Sequence, residues 1–158
     1  MLATLAVVLA AAACGAAQVR LDEPVALVPV PRDGVAFLSR QRVTVTRGER
    51  TEAFDVALQR RGEELVLVGF SSLGARAFTV IQRGGAMESV ETAPGLRLPI
   101  HPTRILADVH ASGVLRWDDA KGLPPTWRFQ HARGGYTVRV DTLSWSRLEH
   151  PSSTDSGP

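Results

Sequence analysis

Cysteine is almost absent from this 158-residue sequence, since Cys14 is its only example. A single thiol has no partner within the chain, which excludes a disulfide framework. Lysine is as rare, with Lys121 alone among 18 basic residues. Basic and acidic residues are interspersed along the chain and the formal net charge is +2, so no basic stripe marks a phosphate-binding face. We therefore expect no nucleic acid as a partner.

Patterns typical of catalysis and metal binding are also missing. No Gly-x-Ser-x-Gly elbow and no glycine-rich phosphate loop occurs, and Ser71 and Ser72 are interpreted as part of a turn. The histidines lack the spacing of metal ligands, and surface or capping roles are expected for them. The sequence thus predicts no enzymatic activity, no metal and no cofactor. The histidines are His101, His110, His131 and His150.

No apolar run reaches the about 20 residues that a membrane-spanning helix needs. Residues 1–13 carry no charge and end in small residues, which fits the apolar region of a signal peptide. The following "AAAC", Ala11 to Cys14, resembles the bacterial lipobox, although Ala11 stands where a leucine is typical. Two alternatives are a buried cysteine in a cytosolic protein and an unpaired thiol beyond an ordinary cleavage site.

Lipid attachment at Cys14 is the favoured interpretation, because the cysteine lies where the apolar run ends. The lipobox resemblance implies that acyl chains such as palmitate are attached to this cysteine. Gly15 follows it instead of aspartate, which by resemblance to Gram-negative lipoproteins implies export onward to the outer membrane, on its periplasmic face. The predicted organisation is a signal peptide at 1–13, a lipidated cysteine and tether at 14–34, a β domain at 35–148, and a disordered tail at 149–158.

From Val35 to about Val90, apolar and polar residues alternate with the period of two that is typical of β-strands. Short glycine-containing turns at 47–49, 61–63 and 83–85 separate the runs and predict an antiparallel meander of hairpins. The continuous apolar run in "EELVLVGF" predicts a strand covered on both faces.

A helix is predicted in "RLPIHPTRILADVHASG", where Thr103 can cap the first turn. Ile105, Leu106 and Val109 would form its apolar face. Strands resume in "WRFQHARGGYTVRVDTLSWSRL", with a turn at Gly134. The predicted fold is therefore mainly β: an antiparallel curved sheet or incomplete β-barrel, with one short helix as a partial lid.

Three stretches, "FSSLGARAFTVIQRGG", "RILADVH" and "GGYTVRVDTL", resemble an uncharacterised family of bacterial outer-membrane lipoproteins, the domain of unknown function 3261. The resemblance spans about residues 35–148. This family is similar to the carriers LolA and LolB, in which helices cover an incomplete β-barrel and its apolar cavity. It implies a carrier whose ligand is a lipid or a polyene. The segment between Asp108 and Trp127 is shorter and more polar than in relatives, which implies a partial lid.

The sequence leaves open whether the interior is a cavity or a filled core, because both need the same residue types. A filled interior would make the protein a structural or interaction lipoprotein that docks on an envelope complex. The tryptophans Trp117, Trp127 and Trp145 are expected to fill the core or to cover the open end of the barrel; the alternative is a position at the membrane interface. The candidate ligand-lining residues are Phe54, Leu65, Leu67, Phe70, Phe78, Leu106 and Val109.

Overall fold

The computed structural model describes residues 27–117, 122 and 124–149. The predicted signal peptide, Cys14, most of the predicted tether, and the tail from residue 150 onward, with His150, lie outside these residues. In chain order the described elements are β1 (Phe37–Arg47), β2 (Arg50–Arg61), β3 (Glu64–Phe70), β4 (Arg76–Arg83), β5 (Ala86–Thr92), α1 (Pro102–Ala111), a 3-10 turn (Val114–Arg116), β6 (Trp127–His131) and β7 (Tyr136–Arg147).

The seven described strands form one antiparallel sheet in the order β5-β4-β3-β2-β1-β7-β6. Strands β1 to β5 form the predicted meander, and β7 returns to pair with β1. The outer strands β5 and β6 each pair on one side within the described part of the chain, so this sheet is open. The predicted fold class, an open antiparallel sheet with one short helix, is confirmed.

The sheet curls around helix α1. The helix contacts both β4 and β7, although three strands lie between them in the sheet. A helix of ten residues is only about 15 Å long. It touches both strands because the curvature brings them towards the same helix. The inner, concave face of the sheet is therefore the one that carries the core and the helix.

Three of the hairpins have two-residue loops, as the glycine-containing turns predict. Arg47 pairs with Arg50, Arg61 with Glu64, and Arg83 with Ala86. The first loop residue in each is a glycine with a positive φ: 57° at Gly48, 57° at Gly62 and 52° at Gly84. Residues with a Cβ rarely adopt this conformation, so glycine allows these tight connections.

Strand β3 alternates in burial, so the prediction that it is covered on both faces is wrong. Leu65 and Leu67 on the inner face have no exposed surface. Val66, Val68 and Phe70 on the outer face are only half-buried. Helix α1 covers the inner face alone, and among the described elements nothing packs over the outer face of β3.

Helix α1 begins two residues earlier than its predicted cap suggests. His101, rather than Thr103, is the N-cap residue, and Pro102 occupies the first turn. The backbone N–H of Thr103 donates to Nδ1 of His101 at 3.3 Å, and the hydroxyl of Thr103 lies 2.8 Å from the same atom. The imidazole thus satisfies one of the free N–H groups at the helix start. Burial lowers the pKa of His101, which favours this neutral acceptor.

Residues 27–31, which we call the strap, lie against the end of the sheet that carries the β2–β3 and β4–β5 loops. Val30 is buried, and its N–H donates to the carbonyl of Gly84 at 3.0 Å. The side-chain amide of Gln82 donates to the carbonyls of Val28 and Gly84, at 2.9 and 2.8 Å. The strap is the described end of the predicted tether, and it approaches the sheet at this end.

Arg60 fastens the strap from inside the molecule. Its side chain is buried, and its guanidinium donates to the backbone carbonyls of Pro31, Gly62 and Leu115. Three acceptors compensate the loss of hydration of this cation. A Cβ at Gly34 would overlap the guanidinium, so the absence of a side chain there makes room for it.

Candidate functional site

The inner face of the sheet and the buried side of α1 together carry all the predicted lining residues except Phe70. Leu65, Leu67, Leu106 and Val109 have no exposed surface, and Phe78 is 1% exposed. Phe54 is partly buried and contacts Phe78 edge to face, with 6.2 Å between the ring centroids. Strands and helix thus bring these side chains into one apolar cluster.

Phe70 lies apart from that cluster. It pairs with Asp55 on the outer face of β2, and the register between β3 and β4 shifts between Gly69 and Phe70. The ring of Phe78 covers the backbone of Gly69, where a Cβ would collide with it. Phe70 faces outward with Val66 and Val68, as the regular alternation of burial along β3 requires. The apolar residues on both faces of this strand concealed the alternation in the sequence.

The apolar interior is closed in this structure at the residues that would line a ligand. A side chain without exposed surface is not in contact with a water-sized space. The four fully buried lining residues therefore pack against other side chains, and an apolar ligand would have to displace α1 or separate these contacts.

Polar side chains interrupt the inner face of β1 and β7. Ser39 and Gln41 point inward with Val43, and both are fully buried. The hydroxyl of Ser39 donates to the carbonyl of Ser144 at 3.1 Å. Neither polar atom of the Gln41 side chain has a partner, and neither has Nε1 of Trp145. Most buried polar groups in proteins are hydrogen-bonded, so these two side chains require an explanation.

His110 is a third buried polar side chain without a partner. It is 7% exposed, and neither ring nitrogen is hydrogen-bonded. Burial lowers the pKa of His110 to about 4. The surface or capping role predicted for this histidine is therefore wrong, because the side of α1 that carries it is enclosed. The apolar residues Ile105, Leu106 and Val109 predicted the buried face of α1, but they did not indicate that His110 is buried as well.

Asp108 and His131 connect helix α1 to strand β6. Nε2 of His131 lies 3.1 Å from the carboxylate of Asp108, which is 4% exposed. Burial raises the pKa of Asp108, and the neighbouring imidazole opposes that shift. A surface or capping role was predicted for His131; its side chain keeps 20% exposure on the edge strand β6 and pairs with Asp108. We call this pair the latch.

Tyr136 supports the latch from the neighbouring strand. It is the cross-strand partner of His131, and the two rings stack with 4.6 Å between centroids. The guanidinium carbon of Arg47 lies 5.4 Å from the centre of the Tyr136 ring. A Cβ at Gly134 would collide with the same ring. The "RILADVH" and "GGYTVRVDTL" stretches, distant in sequence, thus meet at the latch.

A shallow groove of about 660 Å³ lies on the outer face of β1, β2 and β3. Arg42 in its wall forms a two-point ion pair with Asp55, at 2.8 and 3.2 Å. Leu73, in the adjoining β3–β4 turn, is 93% exposed. The groove is lined by Leu38, Arg40, Arg42, Ala53, Phe54, Asp55, Ala57, Phe70, Ser71, Ser72 and Gly74.

The three tryptophans have different environments. Trp145 is partly buried against the core and stacks on Phe37, with ring centroids 5.6 Å apart. Trp127 lies on the edge strand β6 and is 39% exposed. Nε1 of Trp117 donates to the carbonyl of Gly122 at 2.6 Å. Trp145 therefore fills the core as predicted, whereas Trp127 remains partly open to solvent.

In the part of the chain that the structure describes, no group of three or more histidine, cysteine, aspartate or glutamate side chains is placed to hold a metal ion. The same residues include no helix with the length and apolarity that crossing a bilayer requires. What the described site offers chemically is apolar surface beneath a helix, with a few buried hydrogen-bonding groups.

Comparison with known proteins identifies a family and no curated relative. The sequence pattern of the family described as "Protein of unknown function (DUF3261)" matches residues 38–140. This range begins in β1, ends in β7 and contains Gln41 and both residues of the latch. No curated protein matches the chain. The chain therefore belongs to the family "Protein of unknown function (DUF3261)".

Proposed function

We propose that the protein is a lipoprotein, anchored through Cys14 on the periplasmic face of the outer membrane, that binds or hands over an apolar molecule. The ligand would be an acyl chain, a lipid or another apolar molecule such as a polyene. It would lie between the curved sheet and helix α1, without any catalytic step. The observation that carries the proposal is the way in which the interior is enclosed.

The interior is covered by a short helix instead of by a closing strand. Strands β5 and β6 are the two edges of the described sheet. Helix α1 follows β5 and precedes β6 in the chain, and it packs on the concave face. Moving a ten-residue helix breaks fewer backbone hydrogen bonds than opening a continuous barrel. The latch between Asp108 and His131 is a polar contact that such a movement would break.

Burial alone supplies enough free energy for binding. Removing apolar surface from water contributes about 25 cal/mol per Å². An acyl chain that replaces side-chain contacts in the interior would gain several kcal/mol, on the order of 0.8 kcal/mol per buried methylene. Part of this gain offsets the cost of displacing α1, so the expected affinity is moderate, which suits a carrier that must also release its ligand.

A fluorescence titration tests the proposal. The probe is diphenylhexatriene, an apolar polyene without a polar head, added to the full chain carrying Cys14→Ser. We expect saturable binding of one probe per chain. Leu67→Phe, which adds volume on the inner face, should weaken binding about tenfold, since overpacking costs about 1–3 kcal/mol. Val68→Phe, the adjacent outer-face change, is the matched control and should leave the affinity unchanged.

Absence of saturable binding would contradict a carrier function. Equal effects of the two substitutions would place the probe elsewhere on the protein and would also contradict it. Thermal unfolding of both variants verifies that each remains folded at the temperature of the titration.

A second candidate function is an interaction lipoprotein that docks on an envelope complex. The lack of exposed surface at Leu65, Leu67, Leu106 and Val109 favours this alternative, because a filled interior needs no ligand. The outer groove and the exposed Leu73 beside it supply a surface for a protein partner. A titration without saturable probe binding would favour this function over the first.

A further inference from the structure

Gln41 is the buried polar side chain whose presence in the core is hardest to explain by packing. Its side chain has no exposed surface, and both its amide nitrogen and its amide oxygen lack a partner. A glutamine that only filled the core would be less favourable than leucine of similar volume, because its amide loses its hydrogen bonds to water. Packing alone therefore does not account for an amide at this position.

Trp145 presents a second unpartnered group on the same part of the inner face. It pairs with Ser39, which is two residues before Gln41 on β1. Side chains in this diagonal arrangement on one face of a sheet are within reach of each other when they are long or aromatic. The indole N–H of Trp145 and the amide of Gln41 thus provide three N–H donors, on two nitrogens, and one carbonyl acceptor in one region.

The strand pairing is irregular at this place. The register of β1 and β7 shifts between Arg40 and Gln41, so that Arg40 pairs with Ser144 and Gln41 with Thr142. Such bulges redirect side chains and are common beside binding sites. The bulge is independent of the missing hydrogen bonds, and both features concern the same few residues.

Charge is compensated elsewhere in the interior. Arg60, the buried arginine on the inner face, donates to three backbone carbonyls. Asp108 is paired with His131. A carboxylate or phosphate buried at Gln41 would therefore lack a free cation among the buried side chains described. An uncharged group that both donates and accepts hydrogen bonds matches the amide and the indole.

We propose that Gln41 and Trp145 form a recognition point for the uncharged, hydrogen-bonding head of an amphiphilic ligand, such as a glycerol ester or a hydroxyl group. This inference rests on the proposed carrier function and adds the chemical class of the ligand. The apolar part of the ligand would occupy the region of Leu67 and Phe78, and the head would satisfy the amide of Gln41. A ligand of this class is preferred over a free fatty acid with the same chain.

The test compares two competitors that share one acyl chain. Monooleoylglycerol and oleate are each used to displace diphenylhexatriene from the full chain carrying Cys14→Ser. We expect monooleoylglycerol to bind about tenfold more tightly than oleate, which corresponds to one satisfied pair of buried groups. Gln41→Leu should abolish this preference, whereas Gln130→Leu, a change of an exposed glutamine on β6, should keep it.

Stability provides a second readout, which does not depend on a ligand. Gln41→Leu should raise the Tm of the ligand-free protein by about 2–6 °C, because it removes a buried amide without partners. A fall in Tm would mean that the amide is satisfied in the free protein and would overturn the inference. Trp145→Phe, which keeps the ring on Phe37 and removes the N–H, should likewise reduce the preference for monooleoylglycerol.

The outcomes separate the two proposals. Binding of diphenylhexatriene with equal displacement by both competitors would overturn the recognition point and leave the carrier function intact. Preference for monooleoylglycerol that persists in Gln41→Leu would also overturn it. A protein that binds neither the probe nor the competitors would overturn the carrier function and, with it, the inference.

Discussion

At the scale of single residues, His110 should control stability in mild acid. Burial holds its pKa at about 4 in the folded protein, below the ordinary value of 6.5. The unfolded chain therefore binds the proton first as the pH falls, and stability decreases from about pH 6.5 down to about pH 4. The loss at pH 4 amounts to about 3 kcal/mol in the free energy of unfolding.

Urea unfolding at pH 7 and pH 4 checks this prediction. His110→Leu should lose about 3 kcal/mol less between the two pH values than the unsubstituted protein. For each protein, the free energy of unfolding at pH 4 is subtracted from that at pH 7, and the two differences are then compared. This comparison cancels the effect of the substitution on packing. It also cancels Asp108, whose raised pKa acts in the opposite direction because protonation of a buried carboxyl favours the folded state. Equal pH dependence in both proteins would show that His110 is not held neutral.

Gly34 is predicted to be intolerant of any side chain. A Cβ there would overlap the guanidinium of Arg60, which is enclosed and bound to three carbonyls. Gly34→Ala should lower the free energy of unfolding by about 1–3 kcal/mol, as for other overpacked sites. Gly85→Ala is the control, because the nearest atom to its new Cβ would be Cγ of Pro29 at 3.9 Å. Similar stability of the two variants would contradict this role of Gly34.

At the scale of secondary-structure elements, the latch should determine how readily α1 leaves the sheet. His131→Phe retains a ring against Tyr136 but leaves the buried carboxylate of Asp108 without its imidazole partner. Hydrogen exchange of the amides in residues 102–111 should become about tenfold faster, since loss of a partner of a buried charge costs at least about 1–3 kcal/mol.

Gln130→Ala is the control for the latch, since Gln130 is an exposed neighbour on β6. Its exchange in α1 should equal that of the unsubstituted protein. Exchange that is unchanged in His131→Phe, or that increases uniformly over sheet and helix, would contradict a local role of the latch. Hydrogen exchange measured by mass spectrometry distinguishes these patterns.

The elements of the fold could be predicted from the sequence because their signals are local. Glycine-containing turns at Gly48, Gly62 and Gly84 and the alternation between them predict the hairpins, and both are confirmed. The apolar positions Ile105, Leu106 and Val109 likewise predict α1. The cap at His101 was missed because imidazole is an uncommon N-cap acceptor, and Thr103 offered a more usual one.

The candidate site could be predicted only in part, because it depends on contacts between distant strands. The sequence predicts Leu65, Leu67 and Phe70 all as lining residues, because the run "EELVLVGF" is apolar at nearly every position and does not show which face is buried. The structure places Phe70 on the outer face of β3. Gln41 lies on the inner face of β1, on the same side as Phe37 and Val43. Because it is polar, the sequence alone did not indicate that it is buried. The latch joins residues 23 positions apart, which no local pattern connects.

At the scale of the whole molecule, Cys14 is proposed to decide where the protein resides. One acyl chain binds a membrane only marginally, whereas two or more hold it firmly, at about 0.8 kcal/mol per buried methylene. The strap, the first described part of the chain, lies against the end of the sheet that carries the β2–β3 and β4–β5 loops.

Fractionation of Gram-negative cells tests the anchor. The unsubstituted protein should sediment with the outer membrane and incorporate labelled palmitate. Cys14→Ser should appear in the soluble periplasmic fraction without label. Gly15→Asp is the informative companion change, which should keep the label but shift the protein towards the inner membrane. An unlabelled membrane-bound protein, or a soluble unsubstituted protein, would contradict attachment through Cys14.

The central claim is that the space beneath α1 receives an apolar molecule. Native mass spectrometry of the full chain carrying Cys14→Ser, recovered from the periplasm, tests it most directly. The proposed function predicts a reproducible added mass that organic extraction removes and identifies as a lipid or a polyene, and predicts that Leu67→Phe reduces its occupancy. A mass equal to that of the ligand-free chain, unchanged after incubation with lipids, would contradict it.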